Sequence, residues 1–402
     1  MTAGPSKPTL LIVGASARAA AQSAIRAGYQ PWCADLFADS DLRAIVPDAR
    51  RCPADQYPNG LANLIREAPE APWIYTGGLE NHPRLIGKMK HLRLLLGNGP
   101  VALRLCRNPF LVQEVLRKGG LPALRLVTGI EKPPGDCRWL RKPLRGSAGQ
   151  GIAFADRGNR GRSRAHYFQQ FIDGTPMSAV FVRAERAVTL VGVTEQLIGV
   201  EWLNAPAFRY CGSVGPMDPV APLRGDLLRI ASALGDRFGL KGLFGVDFVL
   251  CGGRPWVVEI NPRYPASLEV LELATGAIAL ELHRAAFDPD GPLAPRIENS
   301  RHWVGKAIVY APHRLVAPDW GKTWDRKIAL LEQPLDDPAV VLADIPAAGE
   351  VIEQGWPILT ILAAAPTREA CVTSLQSGAR QVTCHAASRI GGDSQISPSG
   401  ST

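Results

Sequence analysis

Two apolar segments separated by a glycine-rich turn, "GLFGVDFVL" (242–250) and "PWVVEIN" (255–261), constrain the fold most strongly. Their length, composition and spacing predict an antiparallel β-hairpin. Successive side chains of a strand point to opposite faces, so Glu259 and Asn261, two positions apart, share one face. Asp247 on the partner strand can lie opposite them. The hairpin therefore predicts three oxygen-bearing side chains at one place.

Such a set suits Mg²⁺ that is shared with the phosphates of a nucleotide. Arg263, two residues beyond Asn261, falls on the same face and offers a planar donor to an acyl or phosphoryl oxygen. A structural alternative is a strand end at which the acid and the arginine form an exposed pair while Asp247 caps a turn.

The stretch "RKPLRGSAGQG" (141–151) places Lys142 at the end of a predicted strand, followed by Gly146, Gly149 and Gly151. A loop with these glycines bends tightly and can turn its backbone N–H groups toward phosphate oxygens. The alternative is an ordinary glycine-rich hairpin with a solvated lysine. By itself the stretch leaves both interpretations open.

The chain begins with a βαβ pattern: a strand at 9–13, a helix to about Ala27 and a strand at 31–34. Further alternation to about residue 100 predicts a small parallel sheet. Only Gly14 stands in the first turn, where a dinucleotide fingerprint requires G-x-G-x-x-G. We therefore expect a Rossmann-like scaffold rather than an NAD site.

The segment "TGGLENHP" (76–83) follows a predicted strand of this sheet. Ligands bind at the carboxyl ends of strands in open α/β sheets, so Glu80, Asn81 and His82 are candidates for substrate contact. A surface loop with a helix cap explains these residues equally well.

The 402 residues allow two or three domains, and the net charge of +8 favours anionic partners. The basic stretch "RGNRGRSR" (157–164) lacks interleaved aromatic residues, so we expect a solvated loop and no nucleic-acid partner. No apolar run approaches the roughly 20 residues of a membrane helix, which favours a cytoplasmic protein without a membrane partner. The cysteines are scattered, so reduced structural thiols are expected, with a catalytic thiol as the alternative.

Four segments, "KPLRGSAGQGI", "FQQFIDGTPMSAVF", "GLFGVDFVL" and "VVEINPRYPASLE", occur in the order and spacing of the ATP-grasp superfamily. The resemblance extends over residues 10–300 and continues more weakly to about 380. Within that superfamily the chain resembles the predicted ATP-dependent carboligases related to biotin carboxylase.

The resemblance implies an α/β and α+β fold with a Rossmann-like pre-ATP-grasp domain, a two-lobed ATP-grasp domain and a small C-terminal β-rich domain. The expected boundaries are 1–100, then 101–300 with lobes at about 101–170 and 171–300, then 301–385. The polar, Gly/Ser-rich tail at 386–402 is expected to be disordered.

The resemblance also implies ATP and Mg²⁺ as ligands, with Mn²⁺ as an alternative ion. It assigns Lys142 to the α- and β-phosphates, residues 146–151 to a flexible lid loop, and the backbone of Gln169 through Ile172 to adenine. The candidate nucleotide-binding residues are Lys142, Arg145, Gly146, Ser147, Gly149, Gly151, Gln169, Gln170, Phe171 and Ile172. The candidate metal ligands are Asp247, Glu259 and Asn261, and the candidate catalytic residue is Arg263.

Two positions depart from the pattern of the superfamily. An acidic residue commonly stands where Gln170 stands here. Many relatives have "DK" or "NK" at the start of the helix after the first domain, whereas this chain has "RNPF". Pro109 cannot replace the phosphate-binding lysine, so Arg107 or Arg104 is the candidate substitute.

The superfamily chemistry implies a ligase that activates a small-molecule carboxylate as an acyl phosphate and joins it to an amine, releasing ADP and phosphate. The resemblance extends to proteins linked to methanopterin- and methanofuran-dependent one-carbon metabolism. Two alternatives stay open: a bicarbonate-activating enzyme, and a nucleotide-binding sensor or scaffold that has lost catalysis. A homodimer is also left open.

Overall fold

The first structural unit is a sheet that matches the predicted βαβ start. A computed structural model of the chain describes residues 7–155, 164–185, 187–288, 302–321 and 338–387. The first sheet has the order β3-β2-β1-β4 with every pairing parallel, and its strands are β1 (Thr9–Val13), β2 (Gln30–Asp35), β3 (Arg50–Arg51) and β4 (Trp73–Tyr75). The accompanying helices are α1 (Arg18–Arg26), α2 (Ser40–Ile45), α3 (Leu61–Glu67) and α4 (Pro83–Lys90). The predicted parallel sheet is confirmed.

Strand β1 is buried on both faces because helices cover the sheet, which explains its continuous apolar sequence. Helix α1 presents small buried residues such as Ala20, Ala21 and Ala24 to that sheet. Two further helices, α5 (Pro100–Cys106) and α6 (Pro109–Lys118), lead out of this unit. Proline stands at the first position of α6, and the Asn108 side chain accepts a 3.2 Å hydrogen bond from the Leu111 N–H, which fixes the start of the helix.

A small antiparallel sheet follows, with the order β5-β8-β6-β7. Its strands are β5 (Leu126–Thr128), β6 (Trp139–Pro143), β7 (Ala153–Phe154) and β8 (His166–Gln170). The glycine-rich stretch 144–152 connects β6 to β7, as the sequence predicts. All of the basic stretch 157–164 except Arg164 lies outside the described residues.

The largest sheet is antiparallel and has the order β13-β12-β9-β10-β11-β14-β18-β16. Its strands are β9 (Thr175–Ala184), β10 (Ala187–Ile198), β11 (Tyr210–Met217), β12 (Gly242–Cys251), β13 (Arg254–Asn261), β14 (Trp303–Tyr310), β16 (Ala339–Ala343) and β18 (Pro357–Ala365). A separate pair contains β15 (Leu315–Val316) and β17 (Val351–Ile352). The helices of this region are α7 (Ala221–Phe238), α8 (Leu268–Thr275), α9 (Ala279–Phe287) and α10 (Arg368–Ala387).

The segment predicted as a β-rich C-terminal domain is rich in strands, and β14, β18 and β16 join the large sheet through the pairing of β14 with β11. The proposed domain boundaries stay a prediction. Helix α10 reaches Ala387, and the remainder of the predicted disordered tail lies outside the described residues.

A buried charge network connects the first sheet to the rest of the molecule. The fully buried Arg18 forms ion pairs with Glu269 of α8 and, at 3.0 Å, with Asp344 after β16. Lys306 of β14 lies 2.7 Å from Glu269. Removing one member of such a network leaves uncompensated charge in the interior, so these contacts hold the segments in one arrangement.

Candidate functional site

The hairpin of β12 and β13 brings together the three predicted oxygen ligands. Asp247 pairs with Glu259 in the strand register, and Gly245 pairs with Asn261. The Asn261 side-chain amide donates a 2.8 Å hydrogen bond from Nδ2 to Asp247 Oδ2. Asp247, Glu259 and Asn261 therefore converge as the hairpin pattern predicts.

Burial, followed by repulsion from Glu259, raises the pKa of Asp247 to about 6. The site thus holds a carboxylate that is costly to keep charged without a cation. The described residues contain no cluster of three or more His, Cys, Asp or Glu side chains that could hold a metal. Two carboxylates and one amide oxygen nevertheless fit Mg²⁺ whose coordination is completed by phosphate oxygens and water.

Arg263 is largely shielded from solvent beside Asn261. Its Nη2 donates to Asn261 Oδ1 at 2.8 Å and to Glu80 Oε1 at 3.0 Å. Its side chain is only 12% exposed, and that of Glu80 is 2% exposed. The alternative of an exposed ion pair at the strand end is therefore wrong.

The pKa shifts of Arg263 and Glu80 favour the charged form of each side chain. Burial by itself lowers the pKa of Arg263, but Glu80, followed by Asp247 and Glu259, raises it overall. Burial by itself raises the pKa of Glu80. The nearby Arg263 guanidinium has the larger, opposite effect, so the pKa of Glu80 falls below its ordinary value. Both side chains stay charged at neutral pH.

Of the two candidate substitutes for the missing lysine, the structure brings Arg107 to the site. Its Nη1 forms an ion pair with Glu259, and its Nη2 donates a 2.7 Å hydrogen bond to the Gly146 carbonyl. Arg104 is exposed on α5. A cation therefore stands beside Glu259 although Pro109 replaces the usual residue.

A cleft with about 620 Å³ of empty space, part of it open to solvent, lies between the small sheet and the hairpin. Lys142 lies at its wall, with Nζ 3.3 Å from Gln169 Oε1 and 3.4 Å from the Val258 carbonyl oxygen. The predicted site residues that line the cleft are Lys142, Gly146, Ser147, Gly149, Gln169 and Glu259.

The other predicted nucleotide-binding residues do not line this cleft. Arg145 and Gly151 are exposed members of the glycine loop. The Gln170 side chain accepts a 3.2 Å hydrogen bond from the Arg125 backbone N–H, and Phe171 makes an edge contact with Phe154. Ile172 follows Phe171 in the segment between β8 and β9. Roles for Gln170, Phe171 and Ile172 at adenine remain predictions.

The glycine loop is packed against segments that the sequence did not indicate. Gly149 has φ +77°, and a Cβ there would lie 1.7 Å from the Phe208 carbonyl oxygen. The Tyr210 N–H donates to the Ala148 carbonyl at 3.1 Å. Residues 208–210 carry no pattern that would have identified them, because the contact is made by their backbone.

The loop after β4 reaches the same site. Asn81 Nδ2 donates to the Gly146 carbonyl at 3.0 Å, while Glu80 binds Arg263. His82 is the N-cap of α4 but its side chain makes no capping hydrogen bond. The segment therefore supplies the N-cap position of α4 without a side-chain cap, and a substrate contact by Glu80, Asn81 or His82 stays a prediction.

Cys106 is the cysteine that lines the cleft. Burial raises the pKa of its thiol to about 12, so it stays protonated at neutral pH. A protonated thiol is a poor nucleophile, and the alternative of a catalytic thiol at this cleft is unsupported. None of the helices within the described ranges combines the length and the apolarity needed to cross a bilayer.

Comparisons with known proteins show which family and which folds the chain resembles. A family model described as an ATP-grasp domain matches residues 106–267. The uncharacterised protein MJ0776 of Methanocaldococcus jannaschii is 22% identical over 375 aligned residues, which cover 88% of this chain and 87% of that protein.

Solved structures show the same architecture over nearly the whole chain. The biotin carboxylase domain of 2-oxoglutarate carboxylase from Hydrogenobacter thermophilus superposes with a TM-score of 0.68 at 13% identity, covering 93% of this chain and 90% of that one. That domain is a dimer in complex with MgADP, ADP and bicarbonate. L-amino acid ligase from Bacillus licheniformis superposes with a TM-score of 0.63 at 16% identity, covering 94% and 98% of the two chains. Residues 106–267 thus match the ATP-grasp domain family, and the fold of the chain is similar to that of biotin carboxylase.

Proposed function

We propose that the protein is an ATP-dependent, ADP-forming carboxylate–amine ligase. The observation that carries the proposal is the meeting of two elements at one cleft. Lys142 and the glycine loop form one wall, and the hairpin residue Glu259 forms the other. Asp247, Asn261 and Arg263 are connected to Glu259 by strand pairing and hydrogen bonds.

The role that we assign to each residue follows from its charge and position. Lys142, Arg107 and the backbone N–H groups of the glycine loop bind the phosphates of ATP. Glu259, Asp247 and Asn261 hold Mg²⁺, with Mn²⁺ as the alternative ion, and the bound ion neutralises phosphate charge. Glu259, which is paired with Arg107 in this structure, would hold the ion once Arg107 binds phosphate. Arg263 faces the transferring group and stabilises the charge that develops on it.

In the reaction, a substrate carboxylate oxygen attacks the γ-phosphorus of ATP and ADP leaves. The product is an acyl phosphate. An amine then attacks the acyl carbon, phosphate leaves, and the amine loses a proton to solvent. We propose small-molecule substrates, a cytoplasmic location and, following the sequence resemblance, a role in methanopterin- or methanofuran-linked one-carbon metabolism. A homodimer accords with the dimeric biotin carboxylase domain that shares the fold.

Bicarbonate activation is the second candidate, favoured by the superposition on the biotin carboxylase domain. In that reaction bicarbonate takes the place of the organic carboxylate at the γ-phosphate. The sensor alternative rested on Pro109, and the presence of Arg107 at the cleft weakens it because a cation is available for phosphate.

The test is phosphate release from Mg·ATP with panels of organic carboxylates, bicarbonate and amines. Glu259→Gln loses a charge but nearly keeps its shape, so we expect weak ATP binding and a loss of turnover greater than the loss of affinity. Arg263→Ala should bind ATP almost normally and lose turnover with substrate.

Glu114→Gln on the exposed face of α6 is the matched control, and a melting curve accompanies each variant. Normal turnover of both site variants would place the active site elsewhere. ATP binding without phosphate release under any panel member would favour the sensor alternative.

A further inference from the structure

The turn after β4 contains two glycines that bring side chains of distant segments together. A Cβ on Gly78 would lie 2.6 Å from the Tyr57 hydroxyl oxygen, and one on Gly77 would lie 3.5 Å from Arg263 Nη2. Glu80, two residues further along, is 1% exposed and pairs with Arg263. The absence of a side chain at Gly78 therefore leaves room for the Tyr57 hydroxyl, and the Arg263 guanidinium and the Glu80 carboxylate lie at the same turn.

Each of these side chains has a polar atom without a partner. Among the described residues, four buried atoms around this turn have no hydrogen bond: Tyr57 Oη, Arg263 Nε, Glu80 Oε2 and Asn81 Oδ1. A buried polar atom left unpaired is destabilising, so a cluster of them points to a ligand that pairs with them.

The four atoms form a complementary set. Arg263 Nε is a donor, and the Tyr57 hydroxyl stays protonated because burial, followed by the charge of Glu80, raises its pKa. Glu80 Oε2 and Asn81 Oδ1 are acceptors, and the Asn81 orientation follows from its Nδ2 bond to the Gly146 carbonyl. Two donors match a carboxylate, and two acceptors, one of them charged, match an ammonium group.

We propose that Tyr57, Glu80, Asn81 and Arg263 form a subsite for a zwitterionic amino acid, which makes an amino acid the carboxylate substrate. This inference rests on the proposed ligase function and names its substrate class. Arg263 and Tyr57 bind the carboxylate, and Glu80 with Asn81 binds the ammonium group.

The position of the subsite agrees with this role. Arg263 Nη2 binds Asn261 of the proposed metal site, so a carboxylate on Arg263 lies toward the transferring phosphate. The Gly146 carbonyl binds both Asn81 and Arg107, so the glycine loop closes the subsite and the phosphate cleft together. The four atoms are shielded from solvent, so binding of an amino acid requires the segments that enclose them to move apart.

The experiment uses the full-length protein with Mg·ATP and hydroxylamine, which traps an acyl phosphate as a hydroxamate. Each proteinogenic L-amino acid is compared with its deaminated acid, for example glutamate with glutarate. We expect at least one amino acid to react with a kcat/KM at least about tenfold above that of its deaminated acid, because a site that pairs with a polar group rejects the analogue that lacks it.

The variants separate recognition from a purely structural role. Glu80→Gln should reduce the ratio of amino-acid to deaminated-acid kcat/KM toward unity, whereas a structural role would lower both rates equally. Tyr57→Phe keeps the ring and should raise KM more than it lowers kcat. Glu114→Gln is the control for Glu80→Gln. The ratio of amino-acid to deaminated-acid kcat/KM should be the same in Glu114→Gln as in the parent.

The outcomes distinguish this inference from the proposed function. Hydroxamate formation with deaminated acids at equal efficiency, or a ratio unaffected by Glu80→Gln, would overturn the zwitterion subsite and leave the ligase function standing. ATP binding without hydroxamate from any amino acid would also overturn it. An absence of Mg·ATP binding would instead refute the proposed function.

Discussion

Arg107 forms an ion pair with Glu259 at the end of β13, although 152 positions separate the two residues in the chain. The same guanidinium holds the Gly146 carbonyl at 2.7 Å, so one side chain connects the proposed metal site to the glycine loop. The contact places a cation at the cleft, and we propose that Arg107 binds phosphate in place of the lysine that the resemblance led us to expect. It also compensates the charge of Glu259.

We predict that Arg107→Ala weakens Mg·ATP binding by about tenfold or more, because a charge-assisted hydrogen bond contributes about 1.5–3 kcal/mol. Titration calorimetry with a non-hydrolysable ATP analogue measures the effect. Arg104→Ala removes the same charge from the exposed face of α5 and should leave the affinity unchanged. Equal effects of the two variants would show that only the net charge matters.

Lys142 should be required for nucleotide binding, because its ammonium group lies at the wall of the cleft within 3.3 Å of Gln169. We expect Lys142→Ala to increase the Kd for Mg·ATP about 10- to 100-fold while the melting temperature stays close to that of the parent. Lys132→Ala, in an exposed turn, is the control. Unchanged affinity in Lys142→Ala would remove this residue from the site.

Gly149→Ala should displace the glycine loop. A Cβ there meets the Phe208 carbonyl oxygen, a backbone atom that cannot rotate away, so the loop must separate from residues 208–210. We expect faster hydrogen exchange in 145–151 and weaker nucleotide binding. In the parent protein, nucleotide should slow exchange in this loop.

The control for this change is Gly120→Ala. Gly120 has φ +64°, and a Cβ added there would have no atom within 4 Å, so it carries the conformational cost without the collision. That cost is about 1–2 kcal/mol. If both variants reduce nucleotide binding equally, the effect comes from general destabilisation. Exchange that is equally slow with and without nucleotide in the parent would argue against a lid.

Asp247 should make the protein without bound metal less stable as the pH rises. Its pKa is about 6 when folded and near its ordinary value of 3.8 when unfolded, so the folded state binds the proton more tightly between these values. Stability is therefore lost as the pH rises through this window, and about 2–3 kcal/mol of cost remains above it. Asp247→Asn should be more stable than the parent near neutral pH, with the difference disappearing toward about pH 4.

Urea unfolding across this pH range measures the difference, with Asp218→Asn at an exposed position as the control. The Asp247→Asn variant should also lose most of its Mg²⁺-dependent nucleotide binding. If Asp247→Asn is less stable than the parent at neutral pH, the main role of Asp247 is to stabilise the hairpin and not to bind a ligand.

The sequence alone determined those features that depend on neighbours along the chain. The βαβ start, the start of α6 at Pro109 and the glycine-rich connection of β6 to β7 follow from periodicity and turn residues. The register of β12 with β13 belongs to this class as well. A short turn joins the two strands, so the placement of Asp247 opposite Glu259 was predictable from spacing.

Only the tertiary structure decided which distant charges meet. Arg263 and Glu80 are 183 positions apart, and Arg18 and Glu269 are 251 apart, so no local pattern pairs them. The choice of Arg107 over Arg104 depends on which face of α5 and the following turn is directed toward the hairpin. Charged side chains have many partners of opposite sign in a sequence, and burial selects among them because an unpaired charge in the interior is far more costly than one in water.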